Sequence, residues 1–266
     1  MPRYAACVQY LGSAYAGWQA QPHADSVQVR VETALSRVAD APVRVVCAGR
    51  TDAGVHAAGQ VVHFDVPSPR PPRAWVFGGN TRLPADISLR WARLVPDDFH
   101  ARYAAEWRAY RYLLFDHPAR DALTAGRVTH SRYRLNADVM HAAAQPLLGE
   151  HDFSAFRAAG CQSRTPWRRL QQLRVERRRG LIVIEVRANA FLHHMVRNLV
   201  GTLIQVGRGQ RDAGWPARLL AGGDRTVAGP TAPADGLYLR AVGYPKSYGL
   251  PDAPAESALI AGGGGW

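Results

Sequence analysis

A chain of 266 residues is long enough for one large domain or two of ordinary size, with ample core. It is 47% hydrophobic, yet no run approaches the ~20 apolar residues of a membrane span, so no membrane partner is expected. Its 33 basic residues against 21 acids give a net charge of +12, which points to a polyanionic partner such as nucleic acid. Lys246 is the only lysine, a preference that GC-rich coding explains; coding bias does not explain the excess of bases over acids. Cys7, Cys47 and Cys161 are odd in number and lack CxxC spacing, so they read as reduced core residues. That favours the cytoplasm over a disulfide or zinc framework. The start, Met1-Pro2-Arg3-Tyr4-Ala5, passes straight into an apparent strand without the charged-then-apolar layout of a secretory signal.

In chain order, residues 4–10 alternate loosely and predict a strand, and 12–21 a loop rich in glycine and aromatics. Ser26 is the expected N-cap of a helix whose stripe is Val27, Val31, Ala34, Leu35 and Val38, ending near Pro42. Strands are expected over 43–48 and 60–66, a proline-rich break over 67–72, a short helix over 73–79 and a strand over 87–95. The order is β-α-β-β-α-β.

The second half repeats it. Residues 106–115 predict a strand, Asn136 caps a helix to about 148, and 168–177 and 181–187 predict strands joined by a turn at Arg178-Arg179-Gly180. An amphipathic helix spans 191–206, a short one 215–220, and the last strand is 236–242. Both halves are therefore of the ferredoxin-like kind. Residues 251–266, with four consecutive glycines, look like a disordered tail.

Four features could carry chemistry. Gly49-Arg50-Thr51-Asp52-Ala53-Gly54-Val55-His56 lies between two predicted strands, where a loop is firmly held and function tends to sit. Thr-Asp-Ala-Gly is also an ordinary turn sequence. Trp107-Arg108-Ala109-Tyr110-Arg111-Tyr112 puts Arg108, Tyr110 and Tyr112 on one strand face, an arrangement that suits either stacking on unpaired bases or ordinary sheet packing. Phe191-Leu192-His193-His194-Met195-Val196-Arg197-Asn198 has no third ligand at metal-site offset, but it sets Arg197 on an apolar helix face, where a guanidinium needs an anion. Residues 164–179 hold seven arginines (164, 168, 169, 174, 177, 178, 179) and one acid, Glu176, and read as a phosphate contact or a solvated hairpin. No GxxxxGK[ST] or GxGxxG fingerprint appears, so a nucleotide cofactor has no support.

With these residues in view, the chain resembles the TruA family of tRNA pseudouridine synthases from about residue 4 to 245. The resemblance rests on ordered blocks: Gly17-Trp18-Gln19, Ser26-Val27-Gln28, the residue 49–56 loop, Phe99-His100-Ala101-Arg102, Tyr110-Arg111-Tyr112, Phe153-Ser154-Ala155-Phe156, Asn189-Ala190-Phe191, residues 194–198 and Gly236-Leu237-Tyr238-Leu239. Leu11 departs from the Asp or Asn usual there. The resemblance implies an isomerase that converts uridine to pseudouridine at positions 38, 39 and 40 in the anticodon stem-loop of tRNA. Such an enzyme is cytoplasmic, needs neither cofactor nor metal, and works as a homodimer with the RNA spanning both subunits. Its α+β fold would comprise two ferredoxin-like halves whose mainly antiparallel sheets join into one, with the active-site cleft between them. The expected division is 1–105 for the half with the Asp loop, 106–246 for the second half and 247–266 for the tail.

Carried over residue by residue, the resemblance makes Asp52 the nucleophile and Arg197 its partner. Tyr110 lies against the flipped uracil, Arg50 enters the stack it leaves, and Leu237 packs beside the base. A carboxylate can attack covalently or shield an oxocarbenium-like centre, as in retaining glycosidases. Two rivals come from the residues themselves. One is a metal-dependent nucleic-acid hydrolase using Asp52, His56 and His63, and the other a non-catalytic RNA-binding module.

Overall fold

The computed structural model describes residues 1–252; residues 253–266, where most of the expected tail falls, lie outside the described residues. Two compact units are present, residues 1–107 with the last strand from Tyr238 onward, and residues 108–237. Among the described residues no helix is long and apolar enough to cross a membrane.

The first unit contains β1 (Arg3–Tyr10), α1 (Val27–Ala39), β2 (Val46–Cys47), β3 (His56–Asp65), α2 (Pro72–Asn80) and β4 (Ile87–Val95). Its sheet runs β4-β1-β3 with β2 on the other edge of β3, the strand order of a ferredoxin-like unit. Ser26 caps α1 as expected, its side chain accepting the Val29 N–H, and Val27, Val31, Ala34 and Leu35 are buried. Trp75 of α2 packs with Tyr4 and Phe64, ring centroids 5.2 and 5.1 Å away, which fixes that helix to the sheet.

Two strands differ from expectation. The strand expected over 43–48 shrinks to two residues, because α1 takes its donors: Val43 N–H bonds Ser36 Oγ at 2.9 Å and Val45 N–H bonds Glu32 Oε1 at 3.0 Å. Conversely β3 begins at His56 instead of 60, since Ala57, a weak strand former, is paired on one side with Tyr10.

The second unit contains β5 (Trp107–Asp116), β6 (Thr129–Ser131), α3 (Ala137–Ala144), β7 (Gly149–Asp152), β8 (Trp167–Arg178), β9 (Leu181–Ala188), α4 (Met195–Gly207) and α5 (Trp215–Gly222). β5-β9-β8-β7 is antiparallel, and the short β6 runs parallel to β5. Arg179 (φ 46°) and Gly180 (φ 84°) form the expected turn between β8 and β9, with both central residues at positive φ. Asn136 caps α3 by accepting from Asp138 and Val139, and the helix tightens into a 3-10 turn at Gln145–Leu147 where Pro146 supplies no N–H. α4 starts at Met195, not 191, because His194 adopts a left-handed conformation (φ 59°).

β10 (Leu237–Gly243) runs parallel to β3, with Tyr238 beside His56 and Leu239 beside Ala57, and so shares with β2 the edge of β3 that β1 leaves open. Beyond it, Lys246–Tyr248 forms a short helical turn that sets the Tyr248 ring 5.1 Å from Phe99, while the Tyr244 hydroxyl donates to the Ala101 carbonyl at 2.7 Å. Tyr248 is thus packed on the first unit, while Lys246 and Ser247 are exposed.

Candidate active site

The loop that joins β2 to β3 is held at several points along its backbone. Ala48 N–H bonds the Val61 carbonyl at 2.8 Å, and Gln60 Nε2 reaches the Gly49 carbonyl at 2.6 Å. Trp18 N–H bonds the Thr51 carbonyl at 3.0 Å, and the Thr51 and Tyr10 hydroxyls share a hydrogen bond of 2.8 Å. Val55 N–H closes a turn onto the Asp52 main-chain carbonyl at 3.1 Å, with Gly54 at φ 78° as a type II turn requires. The turn thus spans Asp52 to Val55, one residue later than Thr-Asp-Ala-Gly, and it is what presents the acid. A second loop backs the first: a Cβ at Gly17 would stand 2.7 Å from the Thr51 carbonyl oxygen, so only glycine lets the two backbones approach. Thr51 is buried, Asp52 half-buried and Arg50 exposed.

His56 is fully buried, its Nδ1 accepting the Gly12 N–H at 2.8 Å, which puts its proton on Nε2. Its ring packs on Tyr238 at 4.6 Å. His63 Nδ1 accepts the Ala101 N–H at 3.1 Å, and burial, aided by His100 and Arg3, pushes its imidazolium pKa down to about 4. The two histidines sit seven positions apart on β3, roughly 20 Å from each other along the strand. Asp52, His56 and His63 do not converge, and the hydrolase constellation fails on geometry.

In the second unit, Tyr110 lies on β5 opposite Val186, half-buried, with Phe191 edge-on to its ring at 5.0 Å and 83°. Arg108 Nη1 donates to the Asn189 carbonyl at 3.1 Å. Tyr112, expected on the same face, is entirely buried; its hydroxyl meets Thr129 Oγ1 at 2.7 Å and the Pro233 carbonyl at 2.9 Å, and burial pushes its phenol pKa well up. Of the two tyrosines, Tyr112 is sheet packing. Arg111 points the other way, buried 2.6 Å from Glu185.

Arg197 stands in the first turn of α4, its Nε donating to the Ala232 carbonyl at 2.7 Å while its own carbonyl accepts the Ala232 N–H at 3.0 Å. Leu237 is buried at the start of β10, its N–H bonded to the Ala234 carbonyl at 2.9 Å. The arginine-rich stretch divides. Arg177 forks onto Asp116 with two bonds of 2.7 Å, Arg168 is buried on Thr165, Trp167 and Ser163, and Arg174 and Arg178 share Glu176. Arg164, Arg169 and Arg179 are exposed. Much of that charge is structural.

Sequence reasoning missed the residues that brace the loop, Tyr10 and Gln60, and the Phe191 ring beside Tyr110. Tyr10 and Gln60 read only as strand residues, and no local pattern marks a tyrosine whose partner is 41 positions away.

With one unit of ferredoxin-like strand order and a second that combines an antiparallel sheet with three helices, the molecule is of the α+β class. A family model described as tRNA pseudouridine synthase matches residues 6–104 and 143–245. The chain is 52% identical to tRNA pseudouridine synthase A of Shigella boydii serotype 4 (strain Sb227) over 254 residues, covering 96% of this chain and 94% of that protein. It is 53% identical to the protein of the same name from Yersinia pestis, covering 96% of each. The match to that of Histophilus somni (strain 2336) is 53% over 247 residues, 93% of this chain and 92% of the relative. The chain belongs to the tRNA pseudouridine synthase family. It is an isomerase, and the reaction of that family is the conversion of uridine in tRNA to pseudouridine.

Proposed function

We propose that the enzyme acts at positions 38, 39 and 40 in the anticodon stem-loop, with Asp52 as nucleophile. The observation that carries the reading is the loop of residues 48–55, a half-buried acid on a backbone hydrogen-bonded before and after it. Such fixation holds a reacting group in an attacking geometry without reorganisation.

The reaction breaks the bond between uracil N1 and ribose C1′, turns the base, and joins uracil C5 to C1′. Asp52 attacks or shields the cationic centre that cleavage creates, and the detached base is recaptured, so no activated water is required. Water exclusion matters instead, which suits the buried Val55 and Leu237. Arg197 serves as the counter-ion of Asp52. Tyr110, rigid against Phe191, lies along the flipped uracil. The exposed Arg50 fills the gap in the stack and offsets the few kcal/mol that unstacking costs. Resemblance to the family supports a homodimer whose two subunits share one tRNA, and a cytoplasmic location.

The test uses unmodified tRNA transcripts with uridine at 38, 39 or 40, EDTA present. Pseudouridine is mapped by carbodiimide adducts and reverse-transcription stops. Stops at those sites alone support the proposal; stops elsewhere move the target, and bound but unmodified RNA restores the binding module.

A further inference from the structure

Residues 225–237 cross from α5 to β10 as a strap along α4. Pro230 and Pro233 on the strap are exposed, while Gly229 and Ala232 are buried. Strap and helix meet main chain to main chain: a Cβ at Gly201 would stand 1.7 Å from the Pro230 carbonyl oxygen. The reciprocal bonds between Arg197 and Ala232 close this contact at the proposed counter-ion. With Nε bound to the strap, the plane of the Arg197 guanidinium is set by where the strap lies.

Tyr112 holds the strap at the Pro233 carbonyl and Thr202 Oγ1 at the Gly229 N–H, while one side chain of the strap itself ties it to α4 near Arg197. Arg225 donates to the Gly229 carbonyl at 3.0 Å, to Asn198 Oδ1 at 3.0 Å and to Thr231 Oγ1 at 3.1 Å. The Thr231 hydroxyl donates to Asn198 Oδ1 at 2.7 Å. Asn198 is wholly buried in α4, next in sequence to Arg197, and anchors the network through Nδ2 to the Phe156 carbonyl at 2.8 Å. The acceptors of Arg225 are thus all neutral. A cation placed on neutral acceptors gains no ion-pair energy, and what the planar fork supplies is direction.

We infer that Arg225 is a positioning residue for the isomerisation, clamping the strap to Asn198 so that the Ala232 carbonyl orients Arg197. The inference rests on the role proposed above for Arg197. Arg225 touches neither RNA nor the reacting atoms in this account.

The experiment measures single-turnover pseudouridine formation and tRNA affinity for Arg225→Lys and Thr231→Val, each in the wild-type and the Arg197→Lys background. Lysine keeps the charge and loses the fork, and valine removes one hydroxyl, so both are mild enough to fold. In the wild-type background, Arg225→Lys is expected to slow turnover by at least ~10-fold with affinity held, and Thr231→Val less. With Arg197 already replaced, the same changes should cost under ~2-fold, the non-additivity of groups acting through one another. Equal losses in both backgrounds, or undiminished turnover by Arg225→Lys, overturn the inference. Failure of the functional reading would show separately, as a wild-type protein that leaves tRNA unmodified.

Discussion

The hydroxyl of Tyr10 lies 2.8 Å from Thr51 Oγ1, so the last residue of β1 holds the residue that precedes Asp52. The bond is buried and joins a sheet strand to the loop, which makes the position of the acid a property of the sheet. Tyr10→Phe keeps the ring, whose centroid lies 5.8 Å from that of Trp18, and removes the bond. The expected stability loss is about 1 kcal/mol, with a larger relative loss in single-turnover rate than in tRNA affinity. Comparing the urea midpoint with the rate checks this; equal falls in rate and affinity would mean the bond does not position the loop.

Tyr110 tests the base contact. Tyr110→Phe preserves the edge-on packing with Phe191 and deletes the hydroxyl. Affinity should hold and turnover should fall, as expected if the hydroxyl moves a proton in the reaction. An unchanged rate would leave the ring as a stacking surface only.

His63 gives the fold a pH dependence. Burial lowers its folded pKa from 6.5 to about 4, so between those values the unfolded chain binds the extra proton. Stability therefore rises with pH across that window and falls as pH drops through it, by on the order of 3 kcal/mol at the lower end. His63→Asn offers an acceptor for Ala101 N–H and removes the titration. Urea midpoints at pH 7 and 5 should separate less in this variant than in the wild type, and an identical separation would contradict the assignment.

Buried Arg111, on the strand that carries Tyr110, pairs at 2.6 Å with the half-buried Glu185 across on β9. Arg111→Met removes the cation that Glu185 faces across the strands, and the expected loss is about 2 kcal/mol. The double variant with Glu185→Gln should be closer to wild type than Arg111→Met alone. Chemical denaturation decides it.

These residues also show how far the sequence could be read. The Ser26 cap and its apolar stripe, the strand over 87–95 and the Arg179-Gly180 turn were legible because each is local: cap, periodicity and turn chemistry act within a few residues. The strand over 43–48 was not, because Glu32 and Ser36 of the preceding helix take its donors. Alternation placed Tyr110 and Tyr112 on one face correctly, but a period of two gives the side of a strand and not how deeply each position is covered. The loop carrying Asp52 stood out by its glycines and charges. Its braces did not, and neither did the Ala232 carbonyl beside Arg197, since a main-chain acceptor leaves no mark in a sequence.

The central claim is that Asp52 does the chemistry. Asp52→Asn keeps size and shape while removing the charge, so with saturating tRNA carrying uridine at 38, 39 and 40 it isolates the chemical step. The account predicts wild-type affinity and no pseudouridine under single-turnover conditions. Appreciable pseudouridine formed by a clean preparation of that variant would contradict it.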